Sequence, residues 1–499
     1  MNATVYPPGP GEPSFVQAIR FGKDPVGFLT DCAARYGHCF TLRLPGDSPK
    51  VACSHPDDVR KIFALKAEDF TAANLPIPLS LGRGSLLFLD GNEHLADRKL
   101  LVPLLVGERL GAYGELIKNA TDEVLLRWTP GYRFRPQDDM QQIALTVIIQ
   151  CVFGISDSAR TARVRTLIAD WLKLALSPPI FLLGQAVSPV RLRRFLDRAA
   201  DKSQKRFGEH PPYWRMFPWQ RLVDLKGALQ AILLSEVQRC RTETAADRAD
   251  ILALLTTARY EDGTALRDDQ IIDHLITLLI GGHETTANAL GFALGHMLAH
   301  PEVIRRVQTE LAAVMQDGGF DVSRLPQLHY LHACIQESMR LSPVTVALAR
   351  QLLKPLELSC GVVPAGSSVW ACPSLTQRSS SIWTDSAEFR PERFLNEDSN
   401  DAGQEPAKER ERPREAFYPF GGGRRRCPGM PFAYFEMRVV LARIFSRVSL
   451  SLTPESRLDT VLRGVSLGPA DGLSVVVTGP AGLGSHTRTT GFRSTMANQ

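Results

Sequence analysis

Apolar residues recur at helical spacing over most of this chain. The helical period dominates residues 93–345 and returns in the segment that follows Gly429. Strand-like runs are short: one covers residues 39–44, and a second group falls between residues 356 and 376. The pattern therefore predicts a mainly α-helical protein with small β-sheets, an α+β arrangement in which helices carry most of the core.

Turn-rich and polar segments divide the chain unevenly. Residues 1–15 form a Pro/Gly-rich arm, and the Gly/Ser/Thr-rich residues 479–499 are expected to be a disordered tail. The charged stretch at residues 396–415 is expected to be a solvated loop. We find no internal repeat, and length alone would suit about three domains.

Composition narrows the class of protein. The 499 residues are 44% hydrophobic, and a net charge of +5 is too small to indicate nucleic-acid binding. Nine cysteines are scattered without a Cys-x-x-Cys pair, which favours a reducing compartment. The chain opens without a signal peptide and has no apolar stretch of about 18 residues. We therefore expect a cytoplasmic protein without an integral membrane anchor.

A basic and aromatic stretch at residues 188–221 stands out. It carries seven Arg and Lys side chains between residues 191 and 206, followed by the aromatic residues Tyr213, Trp214, Phe217 and Trp219. Such a stretch could contact a membrane surface or an acidic partner. A solvated helix with a hydrophobic clamp is the simpler interpretation.

One cysteine lies in an unusual setting. The run from Phe420 to Gly429, Phe-Gly-Gly-Gly-Arg-Arg-Arg-Cys-Pro-Gly, places Cys427 in a glycine-rich turn just before a predicted helix. The free N–H groups and the dipole at that helix N-terminus, with Arg425 nearby, favour negative charge. We therefore expect a lowered pKa for the Cys427 thiol. A thiolate there suits a nucleophile, a redox thiol or a metal ligand.

The same run resembles the haem-ligand loop of the cytochrome P450 family, Phe-x-x-Gly-x-Arg-x-Cys-x-Gly. It matches at Phe420, Gly423, Arg425, Cys427 and Gly429. The resemblance implies haem b (iron protoporphyrin IX) with an axial thiolate from Cys427 as the metal ligand. It also implies that residues 16–478 form one haem domain, a triangular helical prism around the buried cofactor.

A second polar group interrupts an apolar helix predicted over residues 268–300. The run Gly281-Gly-His-Glu-Thr-Thr sets an acid and an alcohol among apolar neighbours, which is costly unless these groups are used. Gly281 and Gly282 would give a flat cofactor and a diatomic ligand room to approach. The Thr285 hydroxyl could bond back to a helix carbonyl and bend the helix.

This run also resembles the oxygen-activation motif of the same family at every position. The resemblance implies that Thr285 offers its hydroxyl to bound dioxygen and that Glu284 relays protons from solvent, so these two are the expected catalytic residues. A zinc-protease motif, His-Glu-x-x-His, is excluded because Ala287 stands four residues after His283.

Three further charged residues resemble a structural network of the family. Glu337 and Arg340, spaced three apart on a predicted helix, share one face, and Arg393 would be the third member. The network would fix the fold behind the haem loop and do no chemistry. The family often has a histidine where Gln377 stands, and we draw nothing from that departure.

Two haem propionates inside a protein need cations or hydrogen-bond donors. The resemblance assigns this role to His94 and Arg98, spaced four apart on a predicted helix, to Arg350, and to Arg425 of the cysteine loop.

The pocket and the partners are implied in the same way. The expected lining is mainly apolar and comes from residues 71–88, 175–220, 278–279, 344–348 and 465–469. Such a lining suits a hydrophobic substrate such as a terpenoid, a fatty acid or a polyketide, compounds typical of secondary metabolism. The resemblance implies that the enzyme is a monomer and that it hydroxylates or epoxidises this substrate with O2. No reductase domain fits, so a separate ferredoxin or flavodoxin with its reductase is expected to dock near Arg424 and Arg426.

Three alternatives stay open. A haem-thiolate isomerase that rearranges peroxides, or a peroxide-driven hydroxylase (a peroxygenase), would need no reductase, but the Glu284–Thr285 pair argues against both. A non-catalytic haem sensor or binding protein belongs to another class. Turnover with dioxygen and a surrogate reductase would separate it from an enzyme.

Overall fold

The computed structural model describes residues 6–44, 48–72, 82, 84–107, 109–154, 158–175, 218–242, 250–315, 319–395, 416–463 and 466–481. The expected solvated loop at residues 396–415 lies outside these ranges, and so does the basic and aromatic stretch up to residue 217. Nothing in the described chain bears on those two predictions.

Helices make up most of the described chain, as the apolar period predicts. The α-helices are α1 Ser14–Lys23, α2 Pro25–Tyr36, α3 Pro56–Ala64, α4 Gly91–Leu101, α5 Arg109–Leu125, α6 Pro136–Phe153, α7 Ser158–Ala175, α8 Pro218–Thr242, α9 Ile251–Thr257, α10 Asp268–Leu298, α11 Pro301–Val314, α12 His329–Leu341, α13 Pro373–Thr376 and α14 Met430–Arg447. Short 3-10 turns lie at Val102–Leu105, Val322–Gln327, Pro391–Phe394 and Gly423–Arg425.

Helix α10 is the central element. It is buried along most of its 31 residues, because its sequence is apolar on nearly every face. It packs against α6, α12, α14 and a β-strand near the C-terminus, so it runs through the middle of the helical body. Pro301 begins the next helix at the first position, where a proline costs no hydrogen bond.

The strands are short and form four small sheets. They are β1 Cys39–Leu42, β2 Lys50–Cys53, β3 Phe70–Thr71, β4 Arg133–Phe134, β5 Leu348–Leu352, β6 Leu356–Leu358, β7 Gly361–Val363, β8 Ser368–Ala371, β9 Val448–Leu452, β10 Thr460–Arg463, β11 Ser466–Pro469 and β12 Val475–Pro480. The five-stranded sheet has the order β1-β2-β8-β5-β3, and β2 and β8 are its parallel pair. The other sheets are β4-β12-β9, β10-β11 and β6-β7.

Both ends of the described chain are tied to these sheets. The Pro8 carbonyl accepts from the Thr41 N–H at 3.1 Å, so the N-terminal arm packs along β1. At the other end β12 reaches Pro480, two residues beyond the expected boundary at 478, and the Ala481 N–H donates to the Arg447 carbonyl at 3.1 Å. Residues 482–499, most of the expected tail, are not described.

A large apolar core fills the space between α5, α6, α9, α10, α12 and α14. Two smaller clusters lie on the faces of the five-stranded sheet. Within the ranges given above, no helix has both the length and the apolar character needed to cross a membrane. The large core surrounds α10 and the N-terminal end of α14, so these elements belong to one body.

Candidate active site

The loop that carries Cys427 is held in shape by backbone hydrogen bonds. The Gly421 N–H donates to the Tyr418 carbonyl and the Cys427 N–H to the Phe420 carbonyl, both at 3.0 Å. Gly423 has a φ of 64°, and a Cβ there would stand 1.8 Å from the carbonyl oxygen of Phe63 in α3. The third glycine of the run is therefore required both by its left-handed backbone and by its closeness to α3.

Cys427 lies three residues before the start of α14. The N–H groups of Gly429 and Met430 bond to its thiol, and Arg98 and Arg426 act on it electrostatically. These effects lower the pKa, as expected, but desolvation by the surrounding protein outweighs them and raises it overall. The expected lowered pKa is therefore wrong for the chain by itself.

Two other residues of the loop have packing roles. The Phe420 ring meets the Tyr434 ring edge-on, 4.9 Å between centres, which fixes the loop on α14. Gly429 is the residue before α14, and a Cβ on it would make only an ordinary 3.8 Å contact with the Cys427 sulfur. The role of these two residues at a cofactor stays a prediction.

The middle of α10 carries the predicted hydrogen bond from a threonine side chain to a carbonyl of its own helix. The Thr285 hydroxyl donates to the Gly281 carbonyl at 2.5 Å, one turn earlier. No described atom lies within 4 Å of the point where a Cβ on Gly281 would stand, so this face of α10 is open. Gly282 differs, because its Cβ would come within 2.8 Å of the Ile148 side chain in α6. Gly282 thus allows α6 and α10 to pack closely.

The acid and the histidine of the same run are both turned into the protein. Glu284 is 8% exposed. Burial lowers the pKa of His283 to about 4, and its ring interacts with the backbone of Gln141 in α6. His283 is therefore neutral at physiological pH.

Cationic side chains from three elements converge beside the cysteine loop. Arg350 of β5 is 5% exposed, and burial, with repulsion from Arg425, lowers its pKa to about 10. Both guanidinium groups face the Phe70 ring, with their carbon atoms 5.1 and 6.0 Å from its centre. From α4, Arg98 and His94 complete the group, and each has its pKa lowered, chiefly by burial. For His94 the pKa is about 4, so it is neutral at physiological pH.

Negative charge in this group comes from Asp90. Its Oδ1 accepts from Arg425 Nη2 at 2.5 Å, and Arg425 also donates to the Leu86 and Leu89 carbonyls. Among the described residues, Asp90 is the carboxylate that acts electrostatically on this group of arginines, through Arg425. A surplus of positive charge remains on one buried and two half-buried arginines. Such a surplus is costly unless an anion neutralises it, so it fits two carboxylates of a bound group.

The predicted charge network behind the loop forms as expected. Arg340 donates to both oxygens of Glu337, at 2.7 and 2.8 Å, and Arg393 donates to one of them at 3.0 Å. All three side chains are buried. Gln377, from which the sequence allowed no inference, donates to the Met339 carbonyl and accepts from the Tyr418 N–H at 2.8 Å. It thereby joins the end of α12 to the start of the cysteine loop.

Several expected pocket segments come together around α10. Leu279 in α10, Val344 and Val346 before β5, and Leu467 in β11 are all buried, and the Leu467 N–H donates to the Val344 carbonyl at 2.8 Å. Most of the expected roof at residues 175–220, namely residues 176–217, lies outside the described chain. Asp90 and Gln377 are the site residues that sequence reasoning missed. Asp90 precedes a helix and would be taken for its N-cap, yet its side chain makes no capping bond.

Comparison with known proteins decides the family. The profile of the cytochrome P450 family matches residues 7–473. The chain belongs to the cytochrome P450 family. Cytochrome P450 135B1 of Mycobacterium tuberculosis is 31% identical over 481 residues, covering 94% of this chain and 91% of that protein. Cytochromes P450 135A1 and 138 of the same organism are 29% and 28% identical and cover 94% of this chain each.

The fold agrees with a solved cytochrome P450. The structure titled "Retinoic acid bound cyanobacterial CYP120A1" superposes with a TM-score of 0.77 at 21% identity, covering 95% of this chain and 99% of that one. The predicted single-domain helical fold is thereby confirmed. Membership of the family makes the protein an oxidoreductase, a haem monooxygenase, and implies a cysteine thiolate as the haem ligand.

Proposed function

We propose that Cys427 is the thiolate ligand of haem b and that the enzyme inserts oxygen from O2 into a hydrophobic small molecule. One observation carries the proposal: a thiol with two backbone N–H donors lies beside a surplus of guanidinium charge on buried and half-buried arginines. The cysteine supplies the metal ligand and the cations suit the two propionates. The residues present therefore fit both the iron and the two propionates of this cofactor.

When bound, haem supplies the activation of dioxygen, and its thiolate ligand donates electron density that favours cleavage of the O–O bond. The chain holds the cofactor through Cys427, Arg98, Arg350 and His94. It also keeps the open face of α10 free of side-chain bulk at Gly281. The remaining task of the protein is to deliver protons and position the substrate.

Thr285 and Glu284 are the proposed proton-handling groups. Thr285 lies one turn from Gly281 on the same open face of α10, since residues four apart share a helix face. Its hydroxyl proton is committed to the Gly281 carbonyl, which leaves the oxygen lone pairs to accept a bond from a bound ligand. Glu284 is the nearest acid along the helix and would carry protons to that position.

The substrate is proposed to be a hydrophobic terpenoid, fatty acid or polyketide. The support is the apolar character of Leu279, Val344, Val346 and Leu467, which converge beside α10. The cyanobacterial neighbour was solved with retinoic acid, so isoprenoid acids belong among the first compounds to test. Electrons would come from a separate ferredoxin or flavodoxin, and the exposed Arg424 and Arg426 offer a basic docking face.

The test is the absorption spectrum of the reduced, carbon-monoxide-treated protein. A band at roughly 450 nm is expected for the wild type, as for thiolate ligation. Cys427→Ala should lose this band, whereas Cys360→Ala, at a half-buried thiol in the turn between β6 and β7, should keep it. Retention of the band in Cys427→Ala would refute the ligand assignment. Spin-state shifts on titration with a terpenoid and fatty-acid library would then rank substrate classes.

A further inference from the structure

Asp90 has contacts that its position in the chain does not explain. It directly precedes α4, yet its side chain caps no helix N–H. Its carboxylate instead accepts from the Thr71 hydroxyl, from the Ala72 N–H at 2.9 Å and from Arg425 at 2.5 Å. A small cavity beside it is lined by Phe70, His94, Arg424 and Arg425. Asp90 is therefore aimed into the cation group, away from its own helix.

The position of Asp90 matters because its carboxylate changes the net charge of the neighbouring group of arginines. Arg98, Arg350 and Arg425 carry three positive charges, and Arg424 lines the same cavity as Asp90. The Asp90 carboxylate offsets part of this charge, and the remaining positive charge suits the two propionates of the proposed cofactor. Without Asp90, the same group would keep the full charge of its guanidinium groups.

We propose that Asp90 is a positioning residue that sets the electrostatic potential of the haem site and directs Arg425 away from full pairing with a propionate. This inference rests on the proposed function, because it concerns the same haem site. The carboxylate offsets one positive charge of the group and holds Arg425 Nη2, while the Leu86 carbonyl accepts from Nη1, so both donors are directed toward the 86–90 loop. It thereby favours the ferric state, which carries more positive charge than the ferrous state.

The chain offers a closely matched control. Asp122 pairs with Arg443 at 2.6 and 2.9 Å, and the two side chains are 33% and 14% exposed, against 30% and 11% for Asp90 and Arg425. Arg443 lies 13 residues along α14 from Met430, a distance of about 20 Å. Asp122→Asn therefore removes an equivalent ion pair remote from the haem site.

The experiment is a spectroelectrochemical titration of the haem-loaded full chain at low salt and without substrate. Asp90→Asn should raise the ferric/ferrous midpoint potential by about 59 mV. For one electron this shift corresponds to a roughly tenfold change in the equilibrium constant for reduction. Asp122→Asn and the charge-preserving Asp90→Glu should match the wild type. Arg425→Gln should lower the potential, and the double variant Asp90→Asn/Arg425→Gln should return it to the wild-type value.

Equal midpoint potentials in Asp90→Asn and Asp122→Asn would overturn the inference. Asp90 would then only hold the neighbouring loop in place through its hydrogen bonds. If Asp90→Asn fails to retain haem, the double variant is compared with Arg425→Gln alone. A potential in the double variant no higher than in Arg425→Gln would then overturn it. A wild type without the thiolate band would instead refute the proposed function, so the two failures are distinguishable.

Discussion

The buried charge network around Glu337 should be the most sensitive structural element behind the cysteine loop. Glu337 is 0% exposed and accepts four hydrogen bonds: two from Arg340, one from Arg393 and one from the Arg390 N–H. Arg340 also donates to the Gln377, Ser386 and Glu388 carbonyls. The network thus joins α12 to the segment that leads toward the haem loop.

Glu337→Gln keeps the shape of the side chain but removes its charge. Two buried guanidinium groups then lose their shared counter-ion, and the amide N–H₂ of the new side chain points at donors. Breaking a buried ion pair by removal of one partner costs about 3–5 kcal/mol. The loss is large against a total stability of about 5–15 kcal/mol. We therefore expect a large fall in stability and in the yield of haem-loaded protein.

The assay is urea unfolding followed by circular dichroism, with variants compared at equal slope. Glu12→Gln is the control for loss of an exposed pair: Glu12 and Arg20 lie 2.9 Å apart, and their side chains are 39% and 41% exposed. The control should lose about 1 kcal/mol or less, as exposed pairs do. A loss for Glu337→Gln no greater than that of Glu12→Gln would refute the reasoning.

Three further predictions concern the site. Thr285→Ala should lower product formed per NADPH consumed while Thr285→Ser preserves it, and an unchanged ratio in the alanine variant would exclude the proposed proton role. Gly423→Ala should cost at least about 1–3 kcal/mol from its left-handed backbone and displace Phe63, whereas Gly429→Ala should be tolerated; chemical unfolding and haem content measure both. Because His94 has a folded pKa of about 4 against 6.5 unfolded, its contribution to stability is full above pH 6.5 and is lost as pH falls toward 4, by about 3 kcal/mol. His94→Gln should flatten that acid limb of a stability–pH curve, and an identical curve would contradict the assignment.

The helical pattern predicted the fold well because its period is long and regular. Helix α10 was expected over residues 268–300 and is found at Asp268–Leu298, and the helix after Gly429 is found at Met430–Arg447. The bond from Thr285 to the Gly281 carbonyl was also predictable, since it depends only on residues four apart in one helix.

The missed features depend on contacts between distant segments. Gly282 could not be distinguished from Gly281 by sequence, because its neighbour Ile148 belongs to another helix. The direction of the Cys427 pKa depends on how much protein surrounds the thiol, which a local reading of charge and dipole does not capture. Asp90 carries the ordinary mark of a helix cap, and only the three-dimensional fold brings it to Arg425.

The five-stranded sheet sets an order of events during synthesis. Strand β2 pairs on one side with β1, its neighbour in the chain, but on the other with β8, with Lys50 opposite Ser368. A nascent chain emerges N-terminal end first, so the N-terminal hairpin must wait with an unpaired edge until residue 371 has left the ribosome. Open strand edges invite pairing with other chains. Chains that end before β8 should therefore aggregate, whereas those that reach beyond it close the sheet and protect that edge.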